Sequence, residues 1–227
     1  MLKRLTAATI AGTMLWSMPL AAQFEGTIDM TMGSKSKAKV TQSLKAGHSR
    51  TEMTQSGTSM VMLMDVGGKE VTMLMPEHQM YMKMSLKDDA MKPDKGDAKP
   101  PKITDTGKTE TIAGKTCSVY RMAEEAGKPE TMEICAAKGM GFFAMGAPAG
   151  PMGKNPFGNA IEAAANPEYV KLFKDGFFPL RITDISKGTP ETVIVVDAIN
   201  PKPIPDAAFQ VPAGYTEMKM PGMPKRN

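Results

Sequence analysis

The sequence predicts a mainly β chain of the α+β class, built on an antiparallel sheet. Three observations carry that expectation. Methionine recurs at every second position, as Met60, Met62 and Met64, then Met73 and Met75, then Met80, Met82 and Met84, with Met30 and Met32 upstream and Met218 and Met220 near the end. A period of two puts each run on one face of a strand. Short alternating segments are separated by turn compositions, as in a β-meander. Only residues 156–175 carry a strong helical period.

The chain opens on a segment outside that pattern. Lys3 and Arg4 precede an apolar stretch from Leu5 to Leu20, and Leu20-Ala21-Ala22 offers small residues before a cut ahead of Gln23. Residues 1–22 read as a secretory signal peptide. A membrane anchor needs about 20 apolar residues, and this stretch is shorter. No cysteine follows the cut, so a lipid anchor on that residue is not expected. The mature chain then has 227 − 22 = 205 residues, which fits one domain over 23–216 and a tail over 217–227. Loss of Lys3 and Arg4 lowers the formal net charge from +4 to +2. So small a charge does not point to nucleic acid. No later segment reads as a membrane span.

The first strand is the clearest. Phe24, Gly26, Ile28, Met30 and Met32 alternate with Glu25, Thr27, Asp29 and Thr31, an apolar face backed by a wet one. Gly33-Ser34-Lys35-Ser36 turns, and Ala38, Val40 and Leu44 continue the pattern. Ala46-Gly47-His48 turns again into an extended, polar Arg50 to Gln55. Ser56-Gly57 leads to Met60–Val66, Gly67-Gly68 to Val71–Met75, and Pro76-Glu77-His78-Gln79 to Met80–Leu86. Residues 87–106, with Pro93, Pro100 and Pro101 among lysines and aspartates, read as a mobile loop insert.

Strands resume over Thr109–Met122 and Glu130–Ala136. The turn composition Glu124-Glu125-Ala126-Gly127-Lys128-Pro129 joins them into a hairpin that brings Cys117 and Cys135 together. In an oxidising compartment a disulfide is expected, worth about 3 kcal/mol for a loop of this size. Two free thiols or a thiolate metal site are the alternatives, the latter poorly served without a nearby histidine. Residues 139–155 form a Gly/Pro/Met loop that is too apolar for an ordinary linker. It reads as irregular packing on the core, with a flap over a cavity as the alternative. Phe157, Ile161, Ala164, Ala165, Tyr169, Leu172 and Phe173 then mark the helical element, broken at Asn166-Pro167 and stopped near Gly176. Strands return at Phe178–Ile182 and Thr192–Ala198, and a helical turn is expected at Asp206–Phe209.

Several of these segments, in this order, resemble an uncharacterised family of exported bacterial proteins. They are Phe24-Glu25-Gly26-Thr27-Ile28, Leu74-Met75-Pro76-Glu77-His78-Gln79-Met80-Tyr81, Ile112-Ala113-Gly114-Lys115-Thr116-Cys117-Ser118-Val119-Tyr120, Phe178-Pro179-Leu180, and Pro205 to Tyr215. The fold of that family looks like that of the periplasmic lipoprotein carriers (LolA-like). The resemblance implies a curved antiparallel sheet, an open half-barrel, with a helical element packed on the concave face. Relatives in the wider fold bind acyl chains or lipoproteins there. The methionine load and the 87–106 insert depart from the family pattern.

The chemistry-bearing residues do not assemble into an enzyme. The mature chain has two histidines, His48 and His78, both in or beside turns, and it lacks a nucleophile elbow, phosphate loop, zinc-protease motif or paired-cysteine redox motif. The methionine face carries the functional expectation, through Met30, Met60, Met62, Met64, Met73, Met75, Met80, Met82 and Met84. Thioethers are soft, flexible and adaptable. They fill an irregular core, line a site for a lipid-like ligand or acylated partner, or ligate Cu(I) or Ag(I). In the metal alternative, His78, Met75, Met80 and Met82 are the donor set, with His78, Met80 and Met82 on one strand face by parity. Reversible oxidation of surface methionines is a further minor role. The expectation adopted is a periplasmic or secreted, non-enzymatic carrier for an apolar ligand, without a cofactor and with copper as the alternative. Its partner is an apolar small molecule or an acylated protein.

Overall fold

The computed structural model describes residues 24–33, 36–65, 70–85, 102–124, 127–140 and 177–218. The expected signal peptide over 1–22, the helical element over 156–175, and most of the 87–106 insert and 139–155 loop lie outside the described residues.

Among the described residues, twelve strands form one sheet. They are β1 (Gly26–Met32), β2 (Ala38–Lys45), β3 (His48–Gln55), β4 (Thr58–Asp65), β5 (Glu70–Met75), β6 (Met80–Ser85), β7 (Lys102–Ile112), β8 (Lys115–Ala123), β9 (Glu130–Ala137), β10 (Phe178–Asp184), β11 (Glu191–Pro201) and β12 (Thr216–Glu217). Their order is β12-β6-β5-β4-β3-β2-β1-β11-β10-β9-β8-β7. The sheet is therefore two meanders joined where β1 pairs antiparallel with β11. It stays open, half-barrel-like, with β7 at one edge. Among the described residues, all pairings are antiparallel except that of β12 with β6.

Tight turns set the register. Ala46-Gly47, Ser56-Gly57 and Ala113-Gly114 each place two residues at positive φ between paired strands. That backbone matches the right-handed strand twist, and glycine adopts it without steric cost. Gly26 answers a different constraint. A Cβ there would collide with the Asn200 carbonyl oxygen across the β1–β11 seam, so the seam closes only over a hydrogen.

The main core lies on one face of the central and later strands. Ile28, Met30, Val40, Tyr120, Met132, Ile134, Leu180, Ile182, Ile194 and Val196 are all buried in it. Tyr120 stacks at a tilt on Phe177, with ring centroids 5.4 Å apart. Cys117 and Cys135 form the expected disulfide, with S–S 2.04 Å and Cα–Cα 5.4 Å, on the β8–β9 hairpin.

The opposite face is wet around β1, where Thr41 donates to Asp29 at 2.7 Å and Lys39 pairs with Asp197 at 3.1 Å. Behind β4 and β5 it is apolar. Val61, Leu63 and Leu74 are buried there against Tyr81, Val211 and Tyr215. The C-terminal segment covers that patch and closes the β6 edge, where the Thr216 and Met218 amides donate to the Gln79 and Tyr81 carbonyls at 2.8 and 2.7 Å. The edge of the sheet there is thereby reduced to a strand of two residues.

Three expectations change. His78 is not on a strand face: Pro76–His78 is a 3₁₀ turn closed by Gln79 in the left-handed region, and His78 is exposed on it. β7 begins at Lys102, so the end of the expected 87–106 loop is strand. Thr216–Glu217 forms β12, so the sheet reaches into the expected tail. Among the described residues the only helices are 3₁₀ turns at Pro76–His78 and Asp206–Phe209, the latter as expected.

Candidate functional site

Cross-strand pairing fixes which side chains share a face. Residues directly opposite in an antiparallel ladder point the same way. Ile28 faces Gln42, Gln42 faces Thr51, Thr51 faces Met62, Met62 faces Met73, and Met73 faces Met82. That single row crosses six strands. One row lies to either side. Leu44, Ser49, Met64, Val71 and Met84 follow one another in the first. Met30, Val40, Met53 and Met60 follow in the second, which ends on the pair Met75 and Met80.

On β4, β5 and β6 the three rows make a three-by-three array. Eight of its nine positions are methionine and the ninth is Val71. At ordinary sheet spacings the array measures about 10 Å across the strands and about 14 Å along them between Cα positions. All nine methionines expected on one face lie on one face. Met53 on β3 joins them.

Burial falls away from the main core. Met30 is 1% exposed, Met62 9% and Met60 37%. Met73, Met75, Met80, Met82 and Met84 are half-buried. Met62, Met64 and Val71 form a small cluster of their own with Met84 against it. The face is core near β1 and becomes a partly open apolar wall over β4 to β6.

Charge is segregated from this wall. On β1 to β6, every charged side chain among the described residues sits on the opposite face or at a strand end. Lys83 and Glu70 pair behind the array at 3.1 Å, and that hydrogen bond holds the Lys83 ammonium above its ordinary range. Arg50 and Glu52 pair behind β3. Two inward polar side chains, Gln42 and Thr51, sit in the central row and are buried with atoms that lack a hydrogen-bond partner, and Ser49, also buried, lies in the row beside them.

For metal chemistry, among the described residues no group of three or more His, Cys, Asp or Glu side chains could hold an ion. Both cysteines are consumed in the disulfide. His78 is exposed on the 3₁₀ turn that leads into β6, whereas Met80 and Met82 lie on that strand. Three thioethers, Met62, Met73 and Met82, do lie side by side.

Sequence reasoning missed Met53, Gln42 and Thr51. The two-residue turn at Ser56-Gly57 holds a signal for the first, because it places Met53 opposite Met60. Gln42 interrupts the inward run Ala38, Val40, Leu44 with a polar residue.

No helix among the described residues is long and apolar enough to cross a membrane. A family model described as a domain of unknown function, DUF4412, matches residues 24–215. No curated protein matches the chain.

Proposed function

The chain belongs to the DUF4412 family, a domain of unknown function, and from that premise we propose that it is an exported, non-enzymatic carrier for an apolar ligand. The leader read over residues 1–22 would direct it to the periplasm or the exterior, and the open sheet would act as a half-barrel of the LolA-like kind. The helical element over 156–175 would then pack on the concave face. The ligand class is a lipid-like molecule or the acyl group of a modified protein.

One observation carries this reading: a partly open wall of eight thioethers and one valine, continuous with the core and backed by all the local charge. Filling a core needs apolar volume of any kind, and branched side chains specify it better. A wall made almost wholly of unbranched thioethers suits a surface that reshapes around its occupant. Burial of an acyl chain against it gains roughly 0.8 kcal/mol per methylene before ordering costs. Displacement of an apolar fluorescent dye by long-chain alkyl probes tests this. Saturable displacement with micromolar or tighter affinity is expected, and absence of any saturable site contradicts it.

The adjacent Met62, Met73 and Met82 favour a second reading, a Cu(I) or Ag(I) site built from thioethers alone. Thioethers suit such ions and, unlike thiols, stay available where disulfides form. Cu(I) titration under reducing conditions should then give one ion per chain, lost in Met73→Leu.

A further inference from the structure

The central row of the methionine face passes from thioethers to polar groups before it reaches Ile28. Both the nitrogen and the oxygen of the Gln42 side-chain amide, and the Thr51 hydroxyl beside it, are buried and lack any hydrogen-bond partner. Gln42 is 0% exposed. Apart from these, the only such atom among the described residues is Arg181 Nε, whose other guanidinium nitrogens reach Glu110 and Glu133. A buried amide left without partners loses its bonds to water and gains nothing in return. Methionine would fill the same volume without that loss, and it occupies the same row two strands on. An orphaned buried polar group requires an explanation, and a partner arriving from outside the chain is one.

We propose that Gln42 and Thr51 are the polar end of the ligand site, and that they recognise an amide group carried on an acyl chain. This rests on the apolar-carrier reading above. Whichever way the Gln42 amide is turned, it presents one acceptor and a donor pair. The partner must therefore both donate and accept. An amide does so: its N–H donates to Gln42 Oε1, and its carbonyl accepts from the Thr51 hydroxyl where the amide is trans and secondary, or from Gln42 Nε2 where an N–H lies syn to the carbonyl, as in a primary amide. An ester supplies no donor. A carboxylate supplies no donor either, and it brings a charge to a face that has no cation among its described β1–β6 residues.

The chain attached to that head has one apolar path. From Thr51 the row runs over Met62, Met73 and Met82 toward the partly open β6 side, about 14 Å at ordinary strand spacing. Burial decreases along it, so the head sits deep and the tail lies toward the opening.

The test uses the purified protein with two probes of equal chain length, N-methyl dodecanamide and methyl dodecanoate, each titrated against a bound apolar dye. The amide should bind at least tenfold tighter than the ester, as expected when a probe leaves a site's hydrogen-bonding groups unpaired. Gln42→Met should abolish that preference, leave ester affinity within about threefold, and raise the melting temperature of the free protein. Thr51→Val should reduce the preference without raising ester affinity. It also gives an independent answer if Gln42→Met fails to fold. Equal affinity of both probes for the unaltered protein, or an amide preference that survives in Gln42→Met, overturns the proposal while the carrier reading stands. Binding of neither probe overturns both.

Discussion

The gradient of burial along the methionine face makes a quantitative prediction. Met30 and Met60 are the same residue type on the same row, the most buried and the most exposed methionines along it. Met30, 1% exposed, packs within the main core. Truncation to alanine removes its transfer energy and leaves a cavity, a loss of about 2–5 kcal/mol. Met60 is 37% exposed. Its truncation should cost under about 1 kcal/mol, because water already reaches it and can fill the space. Met73→Ala and Met82→Ala, at half-buried positions, should fall between. Urea unfolding reads these directly. With a slope of about 2 kcal/mol per molar, a 3 kcal/mol loss in Met30→Ala moves the midpoint by about 1.5 M. Equal losses for Met30→Ala and Met60→Ala would refute the reasoning, since the wall would then be closed core from end to end.

Reduction of Cys117–Cys135, or the paired change to alanine, should cost about 3 kcal/mol for a span of 18 residues, measured by the same unfolding assay. Docking of the C-terminal segment should weaken in acid. The Lys45 ammonium, 2.8 Å from Asp206, holds that carboxyl below its ordinary 3.8, and the same contact raises the lysine. A carboxyl whose folded value is depressed adds stability above its unfolded value, and that stability is lost as pH falls through the folded one. The melting-temperature difference between the unaltered protein and Asp206→Asn should therefore be present near neutral pH and shrink below pH 3.8. The effect is small because the pair is exposed to solvent.

Much of the site was legible because strand parity is a local rule. Every methionine run from Met60 to Met84 keeps its period of two in the sheet, so one face per strand could be read directly. That these faces are the same face depends on register, which hairpin turns set but parity alone does not. The His78 expectation failed where parity was carried through a proline-started turn. Pro76 fixes a helical φ, and the strand period starts afresh at Met80. The start of β7 was hidden for another reason. Lys102 to Glu110 has no buried residue on either face, and an exposed edge strand gives no apolar alternation. Gln42 could be seen as a polar residue in an apolar run, but its orphaned state appears only once Thr51 is placed beside it. The joining of β1 to β11 brings together residues such as Met30 and Val196, far apart in the chain, and no local pattern announces it.

The most direct test of the account labels the methionine methyl groups with carbon-13 and follows their resonances while a long-chain alkyl probe is added. The account predicts saturable shifts at Met60, Met62, Met73, Met75, Met80 and Met82, with Met122 and Met132, buried beyond the β1–β11 seam, unmoved. Shifts centred on Met122 and Met132, or none at the array, would contradict it.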